Sequence, residues 1–402
     1  MAKRISGCRV CVGPHLTTLL DFGRIAPCGV FPATRDDDPD SEPLEVVRCD
    51  DCGLVQLAHD LDPRVTFTPE GFGYRSGTNP SMKAHLRSLA ERLTAMAHLH
   101  NDSMVVDIGS NDGTFLSYLP SGVAKVGVDP VALRYDRNYP PETVIYPQFW
   151  DEEVSRQCRR AKLITCFATL YDLPDPNAFM MNVANALGPA GVFACEVAFY
   201  PLIKMGGGWD VISHEHLEYY DASVLQRLMG NAGLKIDYME VNPINGGSVF
   251  FTARRNPGQR IVVPPWENGG NLRTIVDRTL DKCGLFFEEA KDQGWNVHGY
   301  AASTRGNTLL QVLQKEGELE DEIVAVADAN PDKWGRYTPG TLIPIISEEE
   351  SRAADPDYYF VLSSHFIDSF IERERDFLER GGQFVLPFPT FRIIGKHDIG
   401  TL

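Results

Sequence analysis

From about residue 103 to 200 the chain alternates short apolar runs with stretches whose apolar positions recur every three or four residues. Val105-Val106-Asp107-Ile108, Ala124-Lys125-Val126-Gly127-Val128, Leu163-Ile164-Thr165-Cys166-Phe167-Ala168 and Gly191-Val192-Phe193-Ala194-Cys195-Glu196-Val197 are short, apolar and bounded by turn residues. That pattern predicts buried strands. Helical spacing covers residues 81–96 and 177–187. The alternation predicts a doubly wound parallel sheet with helices on both faces. A second strand–turn–helix pattern begins at residue 297, with strands over 297–303, 323–327, 358–362 and 383–386 and a helix over 308–314. A helix over 271–293 precedes it, and Pro- and Gly-rich residues 257–270 mark a boundary. The expected fold is α/β in three parts: a small cysteine-bearing module over 1–70, a central doubly wound Rossmann-like domain over 71–256, and a C-terminal Rossmann-like αβ domain over 257–402. A length of 402 residues exceeds what one core usually serves.

The first predicted strand runs into Asp107-Ile108-Gly109-Ser110-Asn111-Asp112-Gly113 and then a helical pattern. Strand, tight loop and helix start bring a nucleoside ligand against backbone amides. The next strand ends at Asp129, where a ribose-binding carboxylate belongs. The glycines stand as Gly109-x-x-x-Gly113, not as the G-x-G-x-x-G that admits a pyrophosphate, and no Gly-Lys-Ser/Thr follows to cradle phosphates. A polar, acidic loop suits a cationic, phosphate-free nucleoside with an amino-acid tail, and S-adenosylmethionine is such a ligand. An ordinary βα turn explains the loop alone but not its pairing with the distal acid. Asp107, Gly109, Asn111, Asp112, Gly113 and Asp129 are the candidate contacts.

A net charge of −17 argues against a sequence-independent nucleic-acid binder, which needs a basic face. No apolar run approaches a membrane span, and Met1-Ala2-Lys3-Arg4-Ile5-Ser6 lacks the apolar segment of a signal peptide, so the chain reads as cytoplasmic. Oligomeric state is not encoded in any pattern found. In such a compartment nine cysteines favour metal binding over disulfides. Four of them form two C-x₂-C knuckles, Cys8-Arg9-Val10-Cys11 and Cys49-Asp50-Asp51-Cys52, which together make a tetrahedral Cys₄ site suited to zinc. With no open position for water, that site is expected to be structural. The Pro- and Asp-rich residues 32–43 between the knuckles offer little core, and Cys28 has no partner at metal spacing.

Three further stretches carry candidate chemistry. Gly71-Phe72-Gly73-Tyr74-Arg75-Ser76-Gly77-Thr78 reads equally as a lid over a ligand or as a connector with a packed aromatic. In Ser213-His214-Glu215-His216-Leu217-Glu218-Tyr219-Tyr220, neither H-E-x-x-H spacing nor a third metal ligand is present. Acid–base chemistry therefore fits the clustered imidazoles and carboxylate better than metal binding, the bland alternative being histidines that cap a helix near Asp221. Thr304-Arg305-Gly306-Asn307, ahead of a helix, is a plausible anion site through Arg305.

Taken together these blocks resemble the sugar C-methyltransferases of deoxysugar biosynthesis over essentially the whole chain. The matching motifs are the two knuckles, Tyr74-Arg75-Ser76-Gly77, Asp107 to Gly113, His214-Glu215-His216, Gly246-Gly247-Ser248, Arg305-Gly306-Asn307-Thr308, and residues 328–344 with Pro339-Gly340-Thr341. The resemblance implies a zinc module, an S-adenosylmethionine domain and a C-terminal Rossmann-like domain. It also implies a nucleotide-linked 4-keto sugar methylated at the carbon beside the ketone. On it, His216 removes the proton, Glu215 orients or tunes His216, and His214 or Tyr74 stabilises the enolate oxygen. Ser76 faces the methyl donor, Arg305 and Asn307 hold the nucleotide diphosphate, and Tyr171 and Asn245 face the sugar. Departures fall on the substrate side: Ser213 replaces Tyr, Tyr171-Asp172 stands where His is common, Asn245 replaces His, and Phe250 stands where Arg is expected. An O- or N-methyltransferase on a related small molecule, a non-catalytic zinc-bearing binding protein and, last, a nicotinamide oxidoreductase are the competing classes.

Overall fold

The computed structural model describes residues 2–67, 74–256, 261 and 270–398. Gly71-Phe72-Gly73 of the lid-or-connector stretch and most of the 257–270 boundary lie outside them. Among the described residues, no helix is long and apolar enough to cross a membrane.

The N-terminal module is built on antiparallel β1 (Leu16–Ile25), β2 (Glu42–Cys49) and β3 (Val55–Leu57). Buried Leu20, Phe22, Ile25, Leu44, Val46, Val55 and Leu57 join a cluster with Trp209, Val211 and residues of the C-terminal domain. The polar loop over 32–43 thus sits on a module with more core than its composition suggests.

In the central domain α1 (Pro80–Met96) starts at Asn79, whose side chain accepts from the Ser81 N–H, with Pro at the first turn. It buries Met82, Leu86, Leu89, Ala90 and Leu93, one face of a 3.6-residue period. Then come β4 (Met104–Ile108), β5 (Ala124–Val128), β6 (Val144–Tyr146), β7 (Ala161–Phe167), α2 (Pro176–Ala186) and β8 (Leu187–Ala198). Next are β9 (Glu218–Tyr219), α3 (Ala222–Asn231), β10 (Lys235–Asn242) and β11 (Ser248–Arg254). Seven of the strands form one sheet in the order β10-β11-β8-β7-β4-β5-β6. All neighbours are parallel except those of β11, which runs antiparallel to β8 and β10. Strand order reverses between β4 and β7, so a ligand crevice opens at their carboxyl ends. The helix expected after Gly113 is one turn, Thr114–Ser117, because Leu119-Pro120 disfavours continuation.

Strand β9 does not join this sheet. Glu218 pairs with Gln56 and Tyr219 with Val55, so it completes the module's sheet in the order β9-β3-β2-β1. Two residues carry no readable periodicity, so the sequence pattern is blind to this pairing.

The C-terminal domain holds α4 (Leu272–Gln293), β12 (Val297–Tyr300), α5 (Thr304–Glu316), β13 (Ile323–Asp328), β14 (Ile345–Ser347), β15 (Tyr358–Val361), β16 (Gln383–Leu386) and β17 (Arg392–Ile394). Their order, β14-β13-β12-β15-β16-β17, places a second switch point between β12 and β15. Helix α5 starts four residues earlier than the pattern suggests, because the Ser303 hydroxyl caps it by accepting from the Gly306 N–H. A Cβ on Gly306 would fall 2.4 Å from the Leu362 side chain, so glycine permits the close helix–strand approach.

Candidate active site

One cavity of about 390 Å³ is lined from both switch points. The central domain contributes Asp107, Gly109, Asn111, Asp129, Thr169, Tyr171, Asp172 and Glu196, and the C-terminal domain Ser303, Thr304, Arg305, Lys333, Ser363 and His365. Tyr74, Ser76, Glu215, His216 and Asn245 complete the wall.

At the first switch point Gly109 takes φ +74°, and a Cβ there would lie 2.1 Å from Thr169 Oγ1. Glycine therefore lets the loops after β4 and β7 meet. Asp107 accepts from Thr165 Oγ1 at 2.7 Å, and burial pushes its carboxyl up to about 7. Asp129 accepts from the backbone N–H of Asn111 at 2.9 Å and of Val131 at 2.8 Å, with burial raising its carboxyl against their pull. Each carboxylate oxygen offers further lone-pair directions, which suits two ribose hydroxyls. The donor set fits a nucleoside carrying positive charge and no phosphate.

Asn111 and Asp112 spend their side chains differently from expectation. Asn111 Oδ1 accepts from the Ser76 N–H at 3.0 Å, and its Nδ2 donates to the Tyr74 carbonyl at 3.1 Å. Asp112 Oδ2 accepts from the Gly77 N–H at 3.0 Å and from Arg75 Nε at 3.1 Å. Asp112 and Gly113 do not line the cavity. Gly113 instead packs against the Tyr139 ring, which a Cβ would meet at 2.8 Å. The described part of the lid-or-connector stretch is thus stapled across the glycine turn, with Tyr74 and Ser76 on the cavity wall.

The imidazole segment divides in two. His216 Nδ1 lies 2.7 Å from the Val211 carbonyl, which only accepts, so Nδ1 bears the proton and Nε2 a lone pair. Its ring stands edge-on to Tyr171, with centroids 4.6 Å apart. Burial lowers the His216 imidazole to about 4 and pushes the Glu215 carboxyl up to about 7. Glu215 Oε1 has no hydrogen-bond partner among the described residues, so the orienting group for His216 is the Val211 carbonyl and not Glu215. His214 is not on the cavity wall. It is 4% exposed, and its Nε2 donates to the Glu42 carbonyl of the module at 3.1 Å, which removes it as an enolate-stabilising group. Ser213 is fully buried and also off the wall, so its departure from Tyr bears on packing. Neither histidine caps a helix: Asp221 does so for α3, accepting from the Val224 N–H.

Sequence reasoning noted Asp172 and Glu196 but gave neither a role, although both lie on the cavity wall. Asp172 Oδ1 has no hydrogen-bond partner among the described residues, and burial, with Glu215 and Glu218 nearby, raises its carboxyl well above the usual range. Glu196 binds His85 Nε2 at 2.9 Å and Asn242 Nδ2 at 2.7 Å. His85 lies 111 residues from Glu196 in sequence, and nothing local singles it out.

On the C-terminal side Arg305 donates through Nε and Nη2 to Asp210 at 2.9 and 2.6 Å, and through Nη1 to the Asn245 carbonyl at 2.7 Å. Its charge is matched, and it clamps the two domains together with part of its donor fork left toward the cavity. Asn307 is fully buried, with Nδ2 on the Cys28 carbonyl at 2.7 Å, which takes it out of the expected diphosphate contact. Lys333, whose Nζ donates to the Ala302 carbonyl at 2.7 Å, and His365 occupy the wall instead.

Away from the cavity, the Sγ atoms of Cys8, Cys11, Cys49 and Cys52 lie within 4.8 Å of one another. The Cys8–Cys52 and Cys11–Cys49 pairs are each 3.5 Å apart. Zinc with arms of about 2.3 Å puts tetrahedral sulfurs about 3.8 Å apart, so the four thiolates fit zinc with no position left for water.

The buried Glu215 carboxyl carries a stability consequence. Its folded value of about 7 stands above the ordinary 4.5, so the acid form is favoured on folding. The resulting cost is absent below about pH 4.5, grows as pH rises through about 7, and levels at about 3 kcal/mol. Glu215→Gln is therefore expected to raise the unfolding temperature at pH 8 and to change it little at pH 4.5. Equal gains at both pH values would place the effect elsewhere.

Three family models match successive parts of the chain. Residues 8–67 match the model of a zinc binding domain, residues 82–238 that of a methyltransferase domain, and residues 269–389 that of a C-methyltransferase C-terminal domain. The C-methyltransferase NovU of Streptomyces niveus is 29% identical over 423 aligned positions, covering 99% of each chain. Among solved structures, the 1,6-didemethyltoxoflavin-N1-methyltransferase of Burkholderia thailandensis matches 43% of this chain and 78% of its own, at 17% identity and a TM-score of 0.34. The magnesium protoporphyrin IX methyltransferase of Synechocystis matches 47% of this chain and 91% of its own, at 14% identity and a TM-score of 0.35. With a zinc-binding, a methyltransferase and a C-methyltransferase C-terminal domain matched in this order along its length, the chain is an S-adenosylmethionine-dependent methyltransferase, similar over its full length to a C-methyltransferase.

Proposed function

We propose that the protein methylates a nucleotide-linked 4-keto sugar at the carbon beside the ketone. The observation that carries this reading is His216: a neutral imidazole oriented by the Val211 carbonyl, with Nε2 unprotonated, on the same wall as the glycine turn. A ketone acidifies its neighbouring C–H, yet the proton still needs a base and the enolate oxygen a donor. His216 Nε2 takes the proton. Glu215, in its acid form at or below about pH 7, donates to the developing oxyanion, as a buried carboxylic acid is able to do. The Tyr74 phenol, on the same wall, is the second donor in reach of that role. The bound methyl donor supplies an electrophilic methyl group, and Asp107, Gly109 and Asp129 hold its nucleoside. After transfer, the proton on His216 leaves to solvent.

The nucleotide of the acceptor is assigned to the β12–β15 crevice. There the start of α5, Lys333 and the N–H groups of Arg305 not bound to Asp210 or Asn245 offer hydrogen-bond donors, while Tyr171 and Asn245 face the sugar. The test is turnover with methyl-labelled S-adenosylmethionine against a panel of nucleotide-linked 4-keto sugars, in deuterated water. Label on carbon, with deuterium exchange at that carbon when the methyl donor is withheld, is the expected result. Label on oxygen or nitrogen without exchange would overturn C-methylation of a ketone.

A further inference from the structure

We propose that Arg9, which lies inside the first zinc knuckle, is a positioning residue that holds the His216 segment in place and so couples the metal module to catalysis. The proposal rests on the reading of His216 as the base. Arg9 is a charged side chain only 2% exposed. Its Nη1 donates to the Leu57 carbonyl at 2.7 Å and reaches the Leu217 carbonyl at 3.4 Å. Nε lies 3.1 Å from Asp60 Oδ1 and 3.5 Å from Glu218 Oε1, and Nη2 also binds Asp60. One guanidinium therefore ties the strand after the second knuckle to the residues just after His216.

Leu217 is the hinge of this arrangement. Its N–H donates to the Tyr171 carbonyl at 2.7 Å, and its carbonyl accepts from the Leu57 N–H at 2.9 Å. The backbone beside His216 is thus pinned on one side to a cavity-wall residue and on the other to the module. The knuckle is itself anchored to the central domain. Asn177 Nδ2 donates to the carbonyls of Arg9 at 2.7 Å and Val10 at 3.0 Å, and Asn231 Nδ2 to that of Val10 at 3.2 Å. Glu218, buried beside Arg9, has no hydrogen bond to either oxygen, so Arg9 is its only charged partner among the described contacts. Its remaining contacts, Nη1 to Gln56 Oε1 at 3.3 Å and Nη2 to the His59 carbonyl at 3.4 Å, stay within the module. The reach to Leu217 and Glu218 is what links it to the site.

The test compares wild type, Arg9→Met and Arg9→Lys as zinc-loaded full chains. Methionine keeps an apolar stem and removes every donor, whereas lysine keeps the charge and a donor. In Arg9→Met we expect zinc to remain at one per chain and S-adenosylhomocysteine affinity to stay within about twofold. Hydrogen–deuterium exchange at the Leu217 and Leu57 amides should rise about tenfold, with β4 and β7 unchanged. The kcat for methyl transfer should fall at least about tenfold without a matching change in KM for the methyl donor, and Arg9→Lys should recover part of both losses. Wild-type exchange at Leu217 in Arg9→Met, or a kcat loss that merely follows lost zinc, would overturn the proposal. Should Arg9→Met not fold, Arg9→Lys decides: intermediate exchange and kcat support it, and wild-type values of both overturn it. Should the wild type methylate no nucleotide sugar, the substrate assignment fails, while the exchange measurement still decides the role of Arg9.

Discussion

His216→Ala is expected to abolish methyl transfer, by on the order of 10³-fold in kcat, while S-adenosylhomocysteine still binds with near wild-type affinity. The separation follows from the two ends of the cavity. Asp107, Gly109 and Asp129 make their contacts within the glycine turn and with Thr165, Thr169 and Val131, whereas the His216 ring bonds to Val211 and stacks edge-on with Tyr171. Removing the imidazole also strands the Val211 carbonyl, at a cost of about 1–3 kcal/mol to the fold. His216→Asn separates the two effects, since its amide restores a donor for that carbonyl but has no basic nitrogen. It should be as inactive as His216→Ala and more stable. The pH profile is a further readout. With His216 lowered to about 4, no limb of kcat/KM near the ordinary imidazole value is expected. Activity that needs Glu215 in its acid form is present below about 7 and lost as pH rises through it. Glu215→Gln, which keeps a donor without titrating, should flatten that descent. A wild-type profile that instead rises through 6.5 would contradict a neutral buried base.

Stripping the metal from the Cys₄ site, or replacing Cys52 by Ser, is expected to cost on the order of a hundredfold in activity with donor binding largely kept. Four thiol-bearing side chains within 4.8 Å of one another repel as thiolates unless a cation joins them, so the knuckles separate when it is lost. The module should not unfold outright. Leu20, Phe22, Leu44, Val46, Val55 and Leu57 remain packed against the C-terminal domain, unlike a small finger whose folding energy is mostly metal binding. What loosens is the knuckle that carries Arg9 and the end of β3 that pairs with β9. Zinc content, activity and S-adenosylhomocysteine affinity measured on one preparation check this. Loss of donor binding in step with zinc would mean that the module supports the central sheet itself.

Much of the site was legible from local pattern, because the chemistry sits at ends of elements that the pattern locates. Asp107, Gly109 and Asp129 follow strands whose apolar runs are plain in the sequence, and the Cys spacing is itself a ligand geometry. The arrangement of His214, Glu215 and His216 was not legible. Three adjacent titratable residues on an irregular segment have no period, so sequence does not reveal that His216 faces the cavity while His214 faces Glu42. Arg305 and Asn307 were read as a turn ahead of the helix, whereas they lie in its first turn, and their partners were not legible. Asp210, Asn245 and Cys28 lie 95, 60 and 279 residues away, and only packing brings them there.

By itself, then, the amino-acid order determined the strand–turn–helix units, the acidic glycine turn, the four thiols and the clustered imidazoles. Each depends on spacing within one or two turns of chain. Tertiary structure alone decided that two switch points share one cavity, that β9 belongs to the zinc module's sheet, and which imidazole faces that cavity. Those outcomes are set by contacts between segments far apart in sequence, where burial fixes both the direction of a side chain and the proton it carries.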